Sequence, residues 1–234
     1  MKRFFSILCA AAIAVAVTQQ ASAQKEETRQ VSGFNSIASS GSFDVQVKID
    51  GSESLKLVGD EADLKEVETV VEGSKLQIRF KNRHGWWGDS HHHKIEVFVT
   101  ARSLTGLTVA GSGSIRVDGT LTGDVNLTLS GSGGINTSVK GDNTHIVLSG
   151  SGGLKLNGST NDANITISGS GNVSARDLKA NSVNVSIAGS GNVNIDAEKS
   201  ITAHLVGSGS LNYTGNASVR DIRTVGSGRV SKNE

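Results

Sequence analysis

The sequence predicts an all-β protein: a right-handed parallel β-helix-like solenoid with Gly-Ser-Gly corners and an irregular β cap at its N-terminal end. Three observations predict it. Gly-Ser-Gly recurs at 111–113, 131–133, 150–152, 169–171, 189–191, 207–209 and 226–228, with successive starts 20, 19, 19, 20, 18 and 19 residues apart. Apolar residues keep fixed offsets from the corners, filling twenty of the 21 aligned positions. Between them, polar residues alternate with period two. Self-similarity at a short fixed period marks a unit too small to bury a core alone, so neighbouring units must stack.

The offsets carry the detail. Two residues before each corner stand Val109, Leu129, Leu148, Ile167, Ile187, Leu205 and Thr224. Four before it stand Leu107, Leu127, Ile146, Ile165, Val185, Ala203 and Ile222; four after its first glycine stand Ile115, Ile135, Leu154, Val173, Val193, Leu211 and Val230. The positions between them are mostly Thr, Ser and Asn. Alternation of this kind gives each strand one dry and one wet face. Glycine at the corner permits positive φ and close backbone approach.

The chain divides into four stretches. Residues 1–23 read as a secretory signal peptide: Lys2 and Arg3 precede an apolar run from Phe4 to Val17, and Ala21-Ser22-Ala23 fits a cleavage site. The protein is therefore expected to be exported through the inner membrane, to the periplasm, the cell surface or the medium, with no transmembrane segment after cleavage. Cys9, the one cysteine, would leave with the signal, so no disulfide is required in an oxidising compartment. Residues 24–33 are polar and read as a flexible lead-in. Residues 34–103 are strand-rich but break the period, and are expected to cap the first regular coil. Within them Gly41-Ser42-Phe43 reads as a degenerate corner, and Asp60 as the N-cap of a short helix running to Glu66. Residues 104–234 are the regular repeats. In the last two copies Arg220, Asp221, Arg223, Arg229 and Lys232 add charge that would blunt an open edge.

Composition excludes some partners. Loss of Lys2 and Arg3 leaves a net charge of −1, which does not grip nucleic acid. An aromatic content of 4% and 29 glycines suit a thin solenoid better than a globular core.

Candidate sites are few. The stretch 81–94 is neither repeat nor strand and holds His84, Trp86, Trp87, His91 and His93. It is expected to be an exposed hairpin or lateral loop, because alternating runs flank it. Trp86 and Trp87 are the candidates for stacking on a sugar or anchoring a partner. His84, His91 and His93 are weak candidates for a metal, since consecutive histidines on a strand point to opposite faces and no Cys or Glu joins them. The corner serines, Ser132 among them, are too alike for one to be a nucleophile beside a base. Asp118, Asp142, Asp162, Asp177 and Asp196 scatter over the lateral turns and nominate no facing pair for glycoside hydrolysis. In-register strings such as Asn126-Leu127-Thr128 and Asn164-Ile165-Thr166 read as outward polar ladders.

The repeated Gly-Ser-Gly with its alternating flanks, Gly134-Ile135-Asn136 after one corner, and the opening from Val31 to Ile37 resemble the GIN domain. This is the putative auto-transporter adhesin head domain of exported bacterial proteins, especially of the Bacteroidetes, a family of unknown function. The resemblance runs from about Phe34 to the C-terminus and implies a parallel β-helix-like fold, a signal peptide and an adhesion role, with no catalytic or ligand residues. The repeats are expected not to be followed by a β-barrel translocator. The reading reached is an exported, non-enzymatic binding or structural module without cofactor. Its partner would be a glycan, a cell-envelope component or another protein. The alternatives are a carbohydrate-active β-helix enzyme, or a metal-responsive envelope protein using the histidine loop.

Overall fold

The structure, a computed structural model, describes residues 24–81 and 94–233. The expected signal peptide, residues 1–23, lies outside the described residues. The described residues form one continuous sheet of seventeen strands with a single short helix.

The N-terminal part contributes β1 (Lys25–Arg29), β2 (Ser36–Gly41), β3 (Asp44–Ile49), β4 (Ser54–Gly59), α1 (Glu61–Glu66), β5 (Val67–Glu72), β6 (Lys75–Phe80) and β7 (Glu96–Ala101). The helix starts where Asp60 caps it, accepting a 2.8 Å hydrogen bond from the Ala62 amide. The regular winding then follows as β8 (Gly106–Gly111), β9 (Ser114–Thr122) and β10 (Val125–Gly131). Four long bent strands come next: β11 (Gly134–Gly150), β12 (Gly153–Gly169), β13 (Asn172–Gly189) and β14 (Asn192–Gly207). It closes with β15 (Ser210–Thr214), β16 (Ser218–Gly226) and β17 (Arg229–Lys232).

From β8 onward successive windings pair in parallel and keep register at the corners, with bulges along the walls between them, so that Leu129 pairs with Leu148 and Leu148 with Ile167. These three side chains are fully buried in one continuous aliphatic core. Corners stack on corners. The Gly131 carbonyl accepts from the amides of Ser151 and Gly152, both at 3.0 Å. Glycine is required there: Gly169 sits at φ 121°, and a Cβ on it would lie 2.5 Å from the Gly150 carbonyl oxygen. The expected polar ladders are present. Asn184 donates to Asn164 at 3.1 Å, Asn192 to Asn172 at 2.9 Å and Asn181 to Asn161 at 2.9 Å.

The base of the solenoid departs from chain order. Gly41 pairs with Gly111, so Gly41-Ser42-Phe43 is a corner on which the first regular corner sits. Below β2 and β3, however, lie β6 and β7, which come later in sequence. The chain makes one coil, passes beneath it through β4, α1 and β5, lays β6 and β7 under it, and returns above it at β8. Antiparallel strands finish the two walls at this end, β4 and then β1 beyond β7, and β5 beyond β6.

One sequence expectation is corrected. Residues 24–33 are not a flexible lead-in, because β1 pairs antiparallel with β4 over Lys25 to Arg29. No apolar side chain in β1 announces it. Its anchor is Arg29, which donates to the carbonyls of Val67 at 2.7 Å and Leu64 at 3.0 Å. The guanidinium thus satisfies the end of α1 and ties β1 to the base.

Candidate functional site

Each winding presents two walls, one before and one after its corner, and outward side chains on a wall stack into rows. On the wall after the corner, one row runs the length of the molecule. In register across the paired strands it reads Thr28, Lys56, Phe98, Gln46, Arg116, Asn136, Lys155, Ser174, Asn194, Asn212 and Ser231. It contains three cations and no acid.

Phe98 stands out in this row because alternation on β7 turns Val97 and Val99 into the core and Phe98 outward. Phe34, Phe43 and Tyr213 are buried, and Phe80 stacks on Phe43 with ring centroids 4.7 Å apart. Phe98 is therefore the half-buried aromatic that faces outward on this wall among the described residues. Lys56 places its ammonium 5.2 Å from the Phe98 ring centroid while holding Glu26 at 3.1 Å. The ring forms part of a groove of about 540 Å³ whose rim includes Gln46, Lys48, Lys56, Arg116 and Asp118.

Three acids near the row, Glu26, Asp44 and Glu96, are held in ion pairs, while Asp118 on the groove rim has none among the described residues. Lys94 bridges Asp44 and Glu96, each at 3.0 Å, and the Ser114 hydroxyl donates to Asp44 at 2.7 Å. The Ser114 hydrogen bond, seconded by Lys94, holds the Asp44 carboxyl below the usual carboxylate range. The same partners raise Lys94, Asp44 foremost. Asp50 is held low by Ser52, and Glu61 by Lys25 and Lys65. Each of these shifts favours the ionised carboxylate, the opposite of what a general acid requires.

The sequence-nominated residues His84, Trp86, Trp87, His91 and His93 lie outside the described residues. In sequence their stretch falls between β6 and β7. Among the described residues no three metal-ligating side chains gather. The corner serines, such as Ser132 and Ser151, are all exposed and equivalent. Sequence reasoning missed the row around Phe98. The signal was available in the alternation of Ile95, Val97 and Val99, which leaves Phe98 on the polar side.

A family model described as the putative auto-transporter adhesin, head GIN domain, matches residues 33–217. A putative adhesin from Bacteroides fragilis has a similar structure, with a TM-score of 0.78 at 22% identity over 90% of this chain and 97% of that one. A putative lipid binding protein from Parabacteroides distasonis gives 0.70 at 23% identity over 90% and 97%. A putative adhesin from Parabacteroides merdae gives 0.68 at 21% identity over 90% and 96%. At these identities the likeness shows the fold. Among curated proteins, none matches the chain significantly. No described helix is long and apolar enough to cross a membrane. The model match spans most of the sequence and agrees with the stacked Gly-Ser-Gly coils described above: the chain belongs to the family of putative auto-transporter adhesin head domains, the GIN domain family.

Proposed function

We propose that the protein is an exported, non-enzymatic recognition module that holds an extended glycan along the wall following its corners. The observation that carries this reading is the acid-free outward row from Thr28 to Ser231. Rigid stacked coils present a long surface whose shape is fixed before binding, which lowers the ordering cost of association. Its Asn and Ser side chains offer paired donors and acceptors, the chemistry that hydroxyl-rich polymers use. The family name supports adhesion, and Lys2, Arg3 and the apolar run to Val17 support export to the periplasm, the surface or the medium.

The test is a glycan array probed with the protein and with an Asn136→Trp, Ser174→Trp variant, whose added bulk obstructs the wall whatever the ligand's charge. Binding should be lost in the variant. Undiminished binding would remove the wall as the site, and release of reducing ends or unsaturated sugars would replace the reading with an enzymatic one. A Trp86→Ala, Trp87→Ala variant tests the sequence-based expectation that these tryptophans take part.

A further inference from the structure

We infer that the stretch of the row from Lys56 through Phe98, Gln46, Arg116 and Asn136 to Lys155 is a track for a carboxylate-bearing glycan, a uronic acid chain. The inference rests on the glycan reading above and names the substrate class of that wall.

Charge is the first argument. Asp44 and Glu96 share Lys94 in ion pairs, and Glu26 is paired with Lys56. Lys48 lies between Asp118, its register partner, and Asp50 at 3.8 Å. Arg116 and Lys155 make no ion pair among the described residues and project from the wall. Two cations of the row are thus left without an ion-pair partner of their own among the described residues, although Arg116 lies near enough to Asp44 to help lower its carboxyl. A guanidinium offers a fork of donors that a carboxylate accepts in bidentate fashion, and an ammonium offers a point charge.

Spacing is the second argument. Arg116 pairs with Asn136 and Asn136 with Lys155, so the cations stand two coils apart with an amide between them. At a strand separation of ~4.8 Å, they are about 10 Å apart along the row. One coil is close to the advance of one residue in an extended pyranose chain. Alternate uronic acids would then meet Arg116 and Lys155, while Asn136 meets the hydroxyls of the sugar between them.

Phe98 supplies the third. Its half-buried ring lies beyond Gln46 in the groove with the Lys56 ammonium over it, and so adds apolar surface and a third cation in line with Arg116 and Lys155.

Isothermal calorimetry with polygalacturonate oligomers and with their fully methyl-esterified form separates charge from shape. The acid form should bind at least tenfold more tightly than the ester. Arg116→Gln with Lys155→Gln should lose at least tenfold affinity for the acid form, and Phe98→Ala severalfold, with thermal melting unchanged. Arg116→Lys should recover part of the loss. Failure of the acid form to bind, equal binding of both forms, or full binding by the double glutamine variant would overturn the inference. If the ester or another neutral glycan binds the wall and the double variant retains it, the inference fails while the glycan-binding function stands. Absence of binding to any glycan removes both.

Discussion

Inside the solenoid the hydroxyl of Thr144 donates to that of Thr160 across 3.0 Å, and Thr160 in turn reaches the Asp142 carbonyl at 3.2 Å. Both threonines are buried. Each supplies what the other lacks, so the pair is tolerated where a lone hydroxyl would not be. Thr160→Val should therefore cost about 1–3 kcal/mol by stranding the Thr144 hydroxyl. The double variant Thr144→Val, Thr160→Val should cost less than the sum of the singles. Urea unfolding of the four-member cycle checks this, and strict additivity would contradict it.

Corner glycines should differ sharply from turn glycines. Gly169→Ala forces a Cβ against the Gly150 carbonyl at φ 121° and should cost about 2–4 kcal/mol. Gly123, at φ 85°, has open space around it, and Gly123→Ala should cost about 1 kcal/mol. Equal losses in denaturant melts would show that φ alone, rather than the stacking of corners, sets the requirement.

Arg29→Met should loosen the base without disturbing the upper coils. It strands the Val67 carbonyl, while that of Leu64 keeps the Val67 amide, and should cost about 1–3 kcal/mol. Amide exchange should rise in β1, α1 and β5 and stay unchanged in β12 and β13. A uniform rise across the molecule would contradict a local anchor.

These outcomes touch features of unequal visibility in the sequence. The inward register of Leu129, Leu148 and Ile167 was legible because burial on one face only imposes alternation. Gly41 was legible as a corner and Asp60 as a cap because each has a local chemical signature. The strand β1 was not, since Arg29 acts through backbone carbonyls more than thirty residues away. Nor was the interleaving of the base, because parallel pairing of β2 with β6 leaves no trace in local pattern. Phe98 was visible as an outward residue, but its importance depends on Lys56, Gln46 and Arg116 arriving from three other strands.

Acid should weaken the base through Asp44. Its folded pKa lies below the ordinary aspartate value of about 3.9, so its contribution to stability is present above that value and is lost as pH falls through the depressed one. Ser114→Ala removes the largest cause of the depression. The Asp44 carboxyl, followed by NMR titration, should then titrate at higher pH, and Lys94→Met should move it the same way. An unchanged Asp44 titration in Ser114→Ala would show that the hydrogen bond does not set it.

The coil built from residues 34–49 is bracketed on both sides by segments that follow it in sequence. Ser114 reaches back seventy positions to Asp44, whereas the upper ladders join residues only about one repeat apart. A chain emerging N-terminus first thus makes its opening coil long before either neighbour exists. Closing short loops costs less entropy than closing long ones, so zipping should begin in the middle of the molecule and spread outward, the oldest residues docking among the last. Such a molecule is a poor candidate for vectorial assembly, and its N-terminal half is the part that waits unprotected.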